Sequence, residues 1–102
     1  MSSKKEVIYI DSDEDITSVI EKASASKASI IALVLPKRFA TLKSSINMKL
    51  LKKTADKGKK KLVLITSDDA LLPLAGSAGI HVSSSLKSRP TVPKFEAPEG
   101  DQ

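Results

Sequence analysis

"SIIALVLP", residues 29–36, decides the fold, because residues 30–35 are all aliphatic and Pro36 ends the run. Neighbouring side chains in a β-strand point to opposite faces, so a run that is apolar at every position predicts a strand covered on both faces. Such strands are typical of parallel sheets that are flanked by helices. We therefore expect residues 30–35 to form a central strand of an α/β domain.

Three further segments have strand-like compositions: "EVIYI", "KLVLIT" and "IHVS", at residues 6–10, 61–66 and 80–83. Segments with a helical period separate them. The resulting order, βαβαβαβ, predicts a small three-layer α/β fold of the Rossmann-like or flavodoxin-like type, with a four-stranded, mostly parallel sheet. The order of the strands within the sheet stays open.

Capping residues predict where the first and third helices begin and end. Ser12 and Asp15 fit an S-x-x-D capping box for the first helix. Its apolar face would be Ile16, Val19, Ile20 and Ala23, which recur at helical spacing. The third helix is expected to begin at about Asp69 or later, because Pro73 is tolerated only near a first turn, and to end at Gly79.

The second helix is expected to run from Ser44 or Ser45 to Gly58. Projected at 100° per residue, its side chains divide into an apolar arc and a basic arc. We expect the apolar arc to be Ile46, Met48, Leu50, Leu51 and Ala55, and the basic arc to be Lys49, Lys52, Lys53 and Lys57.

Length and composition predict one domain over residues 5–86, followed by a flexible Pro-rich tail or linker over 87–102. The chain has no cysteine, which excludes disulfides and thiolate sites, and its only aromatic residues are Tyr9, Phe39 and Phe95. Its longest apolar run is far shorter than the roughly 20 residues that cross a bilayer. We expect a cytoplasmic location.

Positive charge is concentrated in residues 37–61, where ten Lys or Arg residues and one acid give a balance of +9, against +5 for the whole chain. The candidate anion-binding or partner-binding residues are Lys37, Arg38, Lys43, Lys49, Lys52, Lys53 and Lys57. A protein, another anionic surface or nucleic acid could be the partner, and a solvated helix face is the structural alternative. Glycine-rich phosphate-binding motifs are absent, and no cofactor is predicted.

Aspartates follow two of the predicted strands and form an alternative metal site for Mg²⁺: Asp11, Asp13, Asp68 and Asp69. "LVLITSDDALLPLAGSAGIHV" is similar to a segment of PIN-type nucleases. Helix capping is the competing explanation of these acids, and the second helix offers only Asp56 as a further acid.

"VIYIDSDED" is similar to the acidic pocket of response-regulator receivers, but the strand 30–35 ends without a phosphoacceptor aspartate. His81 is expected at an edge or in the core rather than as a catalytic base.

"ALVLPKR", "SINMKLLKK" and "LVLITSDDALLPLAGSAGIHV" belong to a pattern over residues 7–93 that resembles an uncharacterised N-terminal cytosolic domain of predicted membrane proteins of Patescibacteria or Saccharibacteria. The resemblance implies a cytosolic module that is followed by a Pro-rich linker and, further on, by a membrane helix. It implies no activity for any residue.

These observations predict a non-enzymatic cytosolic interaction module, the N-terminal domain of a larger membrane-tethered protein, with a basic face for an anionic partner. One alternative is a metal-dependent, PIN-like nuclease or phosphotransfer enzyme that uses the aspartates. The other alternative is a nucleic-acid-binding domain. The oligomeric state stays open.

Overall fold

The computed structural model describes residues 5–85. The elements alternate along the chain: β1 (Lys5–Tyr9), α1 (Ile16–Ala25), β2 (Ile30–Val34), α2 (Ser45–Lys57), β3 (Lys61–Ile65), α3 (Leu72–Ala78) and β4 (His81–Ser83). Short 3₁₀ turns, Ala40–Leu42 and Asp69–Leu71, lead into α2 and α3. The predicted α/β fold class is confirmed, and the fold is consistent with a small Rossmann-like or flavodoxin-like domain. The predicted tail, residues 87–102, lies outside the described residues.

All four strands are parallel, and they stand in the sheet in the order β1-β2-β3-β4. The all-aliphatic run is therefore an interior strand, because β2 lies between β1 and β3. When every crossover joins sequential neighbours with the same right-handed sense, each helix lands on the same face of the sheet. The contacts agree, since α2 packs beside both α1 and α3.

One face of the sheet carries the main core beneath the three helices. Ile31 and Leu33 of β2 and Leu62 and Leu64 of β3 point to this helix side. From the helices, they meet side chains that are almost completely buried, namely Val19, Ala23, Met48, Leu51, Ala55 and Ala75. Burial of this aliphatic surface is the main force that holds the layers together.

The other face, which we call the second face, carries the alternate residues of the same strands. Its apolar cluster is Ala32, Val63 and Ile65, with Ile30 and Val34 packed against them. The register places Val7 and Tyr9 of β1 and His81 and Ser83 of β4 on this face. Within residues 5–85, no helix belongs to this cluster.

The helix ends differ from the prediction at one cap. Asp15 itself is the N-cap of α1 and accepts a hydrogen bond from the Ser18 N–H at 2.9 Å, so the predicted Ser12–Asp15 capping box is wrong. Glu14 instead accepts the Asp11 N–H at 2.9 Å. The other predicted ends are confirmed: Ser44 caps the start of α2, Gly58 follows α2 and Gly79, with φ +80°, follows α3. Asp68 caps the 3₁₀ turn before α3, which begins at Leu72.

The predicted apolar arc of α2 is wrong in two positions. Met48, Leu51 and Ala55 are buried, but Ile46 is 76% exposed and Leu50 is 42% exposed. At 100° per residue, Leu50 stands 100° around the helix from Leu51, and Ile46 stands 140° from it. The sheet and the two neighbouring helices cover a narrower stripe of α2, so these two side chains remain on its outer surface.

Candidate functional site

The outer surface of α2 carries a ridge in which apolar and basic side chains alternate. We call it the α2 ridge; it consists of Ile46, Lys49, Leu50, Lys53 and Lys57, all of which are exposed. Spacings of three or four residues place Ile46, Leu50, Lys53 and Lys57 along one line of the helix surface, and Lys49 lies beside this line. Ser44 fixes the start of this line because its hydroxyl accepts the Asn47 N–H at 3.2 Å. The ridge is thus mixed in character rather than purely cationic.

Within residues 5–85, no carboxylate forms an ion pair with the three lysines of the α2 ridge. Lys52, one position off the ridge, is paired with Asp56 at 2.9 Å. Because like charges four residues apart repel, Lys49, Lys53 and Lys57 raise the free energy of the isolated helix slightly. An anionic partner would relieve that repulsion.

A shallow groove of about 450 Å³ borders the α2 ridge on the side of α3. Ile46, Leu50 and Ala78 supply apolar surface to it. Its border consists of Lys49, Lys53 and the Lys52–Asp56 ion pair, which gives it a net positive charge. Apolar surface with a charged border is the usual composition of a protein-binding patch.

The remaining predicted anion-binding residues do not belong to the α2 ridge. Lys43, near the start of α2, lies 3.8 Å from the Asp68 carboxylate. Lys37 and Arg38 are exposed in the turn after β2, where Arg38 has the left-handed φ of +84°. The predicted set of seven cations therefore divides between the loop at the carboxyl end of β2 and the outer surface of α2.

Lys60 has a structural role. Its ammonium group donates to the carbonyls of Ala23, at 3.1 Å, Ser24, at 3.2 Å, and Ser26. These are carbonyls at the C-terminal end of α1, which the helix itself leaves without partners. This part of the basic segment therefore holds α1 to the chain that enters β3.

Phe39, the one aromatic residue of the basic segment, is completely buried in the core. It cannot stack on a nucleotide base, and stacking provides much of the affinity in single-strand binding. Tyr9 is exposed, but it lies on the second face, away from the helices. The described surface therefore gives no aromatic platform beside the basic residues.

The predicted aspartates do not form a metal site within the described residues, among which no group of three or more metal-binding side chains is present. β2 lies between β1 and β3, so the loop of Asp11 and Asp13 is separated from the loop of Asp68 and Asp69. The chain after β2 fills the space: the Thr41 hydroxyl donates to the Glu14 carbonyl at 2.8 Å, and Lys43 approaches Asp68. Asp68 serves as a cap, accepting the Ala70 N–H at 3.0 Å.

Among residues 5–85, the pKa values of Glu14 and His81 are shifted, and both shifts follow from local contacts. The Asp11 N–H, the Lys22 ammonium and the Ser18 hydroxyl bind the Glu14 carboxylate and lower its pKa to about 2. Burial, followed by the charges of Lys61 and Lys52, lowers the pKa of His81. His81 lies half-buried on edge strand β4, the kind of position that the sequence predicts for it.

Sequence analysis missed Ile46 and Leu50 as surface residues because the apolar arc that it assigned to α2 spans about 200° of the helix, wide enough to include both. The angular positions of these two residues around the helix axis could have identified them. At 100° per residue, Ile46 and Leu50 project on the same side of α2 as Lys53 and Lys57. No protein-family model, curated protein or solved structure matches this chain. Among residues 5–85, no helix has the length and apolar character needed to cross a membrane.

Proposed function

We propose that this domain is a non-enzymatic interaction module that binds an acidic protein segment along the α2 ridge. In this proposal, the module is the cytosolic part of a membrane-tethered protein, as the family resemblance implies. The partner segment would carry apolar side chains for Ile46 and Leu50 and carboxylates for Lys49, Lys53 and Lys57.

The exposure of Ile46 and Leu50 between lysines is the observation that carries this proposal. A helix face that only keeps a domain in solution has no need of two large aliphatic side chains on its outermost line. Covering each of them in a complex would contribute about 1.5–3 kcal/mol, whereas an exposed ion pair contributes about 0.2–1 kcal/mol. The aliphatic residues would therefore provide affinity, and the lysines would select acidic partners.

The groove beside α3 favours a protein segment over the other anionic partners. A concave apolar strip bordered by cations accepts the side chains of an amphipathic helix or an extended peptide. Nucleic acid would use the lysines but leave Ile46 and Leu50 in water, and Phe39 is buried. A planar lipid surface would meet the protruding Ile46 and leave the groove unfilled.

The test uses a synthetic helical peptide with leucines three and four residues apart and glutamates at its other positions. Titration into the ¹⁵N-labelled domain should shift the amide signals of residues 46–57 and of Ala78. Replacing the leucines by serine, or the glutamates by glutamine, should each weaken binding. Raising the salt concentration should weaken binding as well, because the lysine contacts are solvent-exposed.

Two sets of variants separate charge from apolar contact. Ile46→Ser with Leu50→Ser should abolish the peptide shifts, and Lys49→Glu with Lys53→Glu and Lys57→Glu should do the same. The matched control reverses three exposed lysines elsewhere, Lys5, Lys27 and Lys59, which gives the same change in net charge. The control should bind as the wild type does.

Three outcomes would overturn the proposal. The first is a peptide that produces no shifts on α2. The second is binding that survives loss of both aliphatic side chains, which would leave an electrostatic surface only. The third is that anionic lipid vesicles or duplex DNA bind the ridge while the peptide does not.

A further inference from the structure

A small cavity lies between the second half of α2 and the first residues of β3 and β4. Its volume is about 170 Å³. Liquid water fills that space with about five or six molecules, so a phosphate group also fits in it. The charged and titratable residues that line the cavity are Lys52, Asp56, Lys60, Lys61 and His81. Four basic residues and one acid therefore meet around a space of the size of a small anion.

Positive charge exceeds negative charge in this cavity. Three lysines against one aspartate leave a net charge of +2 when His81 is neutral. The Lys52 ammonium donates to the Asp56 carboxylate at 2.9 Å, and the Lys60 ammonium donates to carbonyls at the end of α1. These contacts hold both ammonium groups in place. Among residues 5–85, no carboxylate forms an ion pair with Lys61. The cavity therefore presents positive charge that its own acid does not neutralise.

His81 responds to the charges around it. Burial, followed by the charges of Lys61 and Lys52, lowers the pKa of its imidazole below 6.5, so the ring is neutral at pH 7. The other charged residues that line the cavity with it are Asp56 of α2 and Lys60, which precedes β3. An anion held among these lysines would offset their charge and raise the pKa of His81 again.

We propose that this cavity binds a doubly charged oxyanion, either free phosphate or the phosphate group of a small ester, and that His81 takes up a proton when the anion binds. A dianion matches the net charge of the cavity, whereas a carboxylate would neutralise only half of it. Protonation of His81 would raise that charge to +3 and strengthen the attraction. The proposal does not rest on the α2 ridge, to which neither Lys61 nor His81 belongs.

The test is direct because His81 is the only histidine of the chain. The imidazole ¹H–¹³C signals of the full-length protein then report the titration of one side chain. Sulfate serves as the first probe, since it stays doubly charged throughout the titration. In sodium sulfate, the midpoint should lie about one pH unit above its value in sodium chloride of equal ionic strength. Affinity for sulfate should rise as the pH falls, because protonation of His81 adds a positive charge to the cavity.

Single substitutions separate the cavity from the general charge of the protein. Lys61→Gln removes the unpaired lysine of the cavity and should lower the affinity for sulfate about threefold. Lys27→Gln, at an exposed position before β2, removes the same charge elsewhere and should bind as the wild type does. His81→Gln should bind sulfate with an affinity that no longer changes with pH.

Equal midpoints in sulfate and in chloride would overturn the proposal. Equal loss of affinity in Lys61→Gln and Lys27→Gln would also overturn it, because attraction to the overall positive charge would then suffice. Glycerol 3-phosphate and inorganic phosphate distinguish the two sources of the anion: tighter binding of the ester supports a site for a phosphorylated molecule, and equal binding supports a site for the free anion. Lys61→Gln should leave peptide binding to the α2 ridge unchanged, so this proposal and the proposed function can fail separately.

Discussion

The two faces of the sheet are apolar for different reasons. Leucine dominates the helix side, at Leu33, Leu62 and Leu64, where three helices supply complementary aliphatic side chains. The second face is formed by smaller or β-branched residues, chiefly Ala32, Val63 and Ile65, and the described residues supply no helix to it. Continuous apolar strands therefore indicate that both faces are covered without indicating what covers them.

The two faces of the sheet also differ in their polar contacts. Glu14, Thr41 and Lys60 tie loops and helix ends to one another on the helix side. On the second face, the register brings together Tyr9, His81 and Ser83 as uncharged polar side chains, and the Ser83 hydroxyl donates to the Ser85 carbonyl at 2.7 Å. The polar contacts that join helix ends to loops are therefore a feature of the helix side.

The largest expected effect comes from shortening neighbouring residues of β3 that point to opposite faces. Leu64→Ala should lower the free energy of unfolding by about 3 kcal/mol, because it leaves a cavity in a fully enclosed core. Val63→Ala should lower it by about 1–2 kcal/mol, because the Val63 side chain is only 3% exposed. Urea denaturation of both variants measures the two values.

Val7→Ala is the control for the same substitution on the exposed part of the second face. It should change the free energy of unfolding by less than about 0.5 kcal/mol, the usual range for surface positions. Equal values for Val63→Ala and Val7→Ala would contradict the difference in burial across this face.

Much of the fold could be predicted because local patterns decide it. The run at residues 30–35 predicts an interior strand, and the caps at Ser44 and Gly79 predict where α2 begins and α3 ends. Asp15 could not be chosen over Ser12 as a cap, since both side chains suit that position and the choice depends on where Glu14 finds its partners. The strand order depends on contacts between elements that are distant in sequence.

The positive charge of the candidate site could be predicted from the sequence, but the exposed aliphatic side chains within it could not. The excess of lysine predicts a cationic outer surface on α2, and Lys49, Lys53 and Lys57 lie there. Tertiary packing decides how wide a stripe of a helix is buried, and for this reason Ile46 and Leu50 were assigned to the core. Tertiary contacts also decide the role of Lys60, which belongs to the basic segment but caps the C-terminal end of α1.

A smaller effect is expected from removing a polar contact that only the helix side has. Lys60→Met keeps most of the aliphatic length but removes the ammonium that binds carbonyls at the end of α1. The free energy of unfolding should fall by about 1–2 kcal/mol, since charged hydrogen bonds to a helix end are lost. Lys27→Met, an exposed position just after α1, should have no comparable effect in the same denaturation experiment. Equal effects would mean that the loss of charge, rather than the cap, is responsible.

The smallest effect concerns pH and the start of α1. The folded-state pKa of Glu14 is about 2, below its usual value of 4.5, because the Asp11 N–H, Lys22 and Ser18 bind the carboxylate. A lowered pKa means that this carboxylate stabilises the fold at pH values above about 4.5 and loses that contribution as the pH falls towards 2. Glu14→Gln should therefore be less stable than the wild type at pH 7, and the difference in urea midpoint should shrink as the pH falls to 2. Glu21→Gln, exposed on the same helix, is the control and should show no such convergence. Because these contacts belong to the helix side alone, a pH-dependent loss confined to Glu14 would show that polar contacts stabilise that face in addition to its packing.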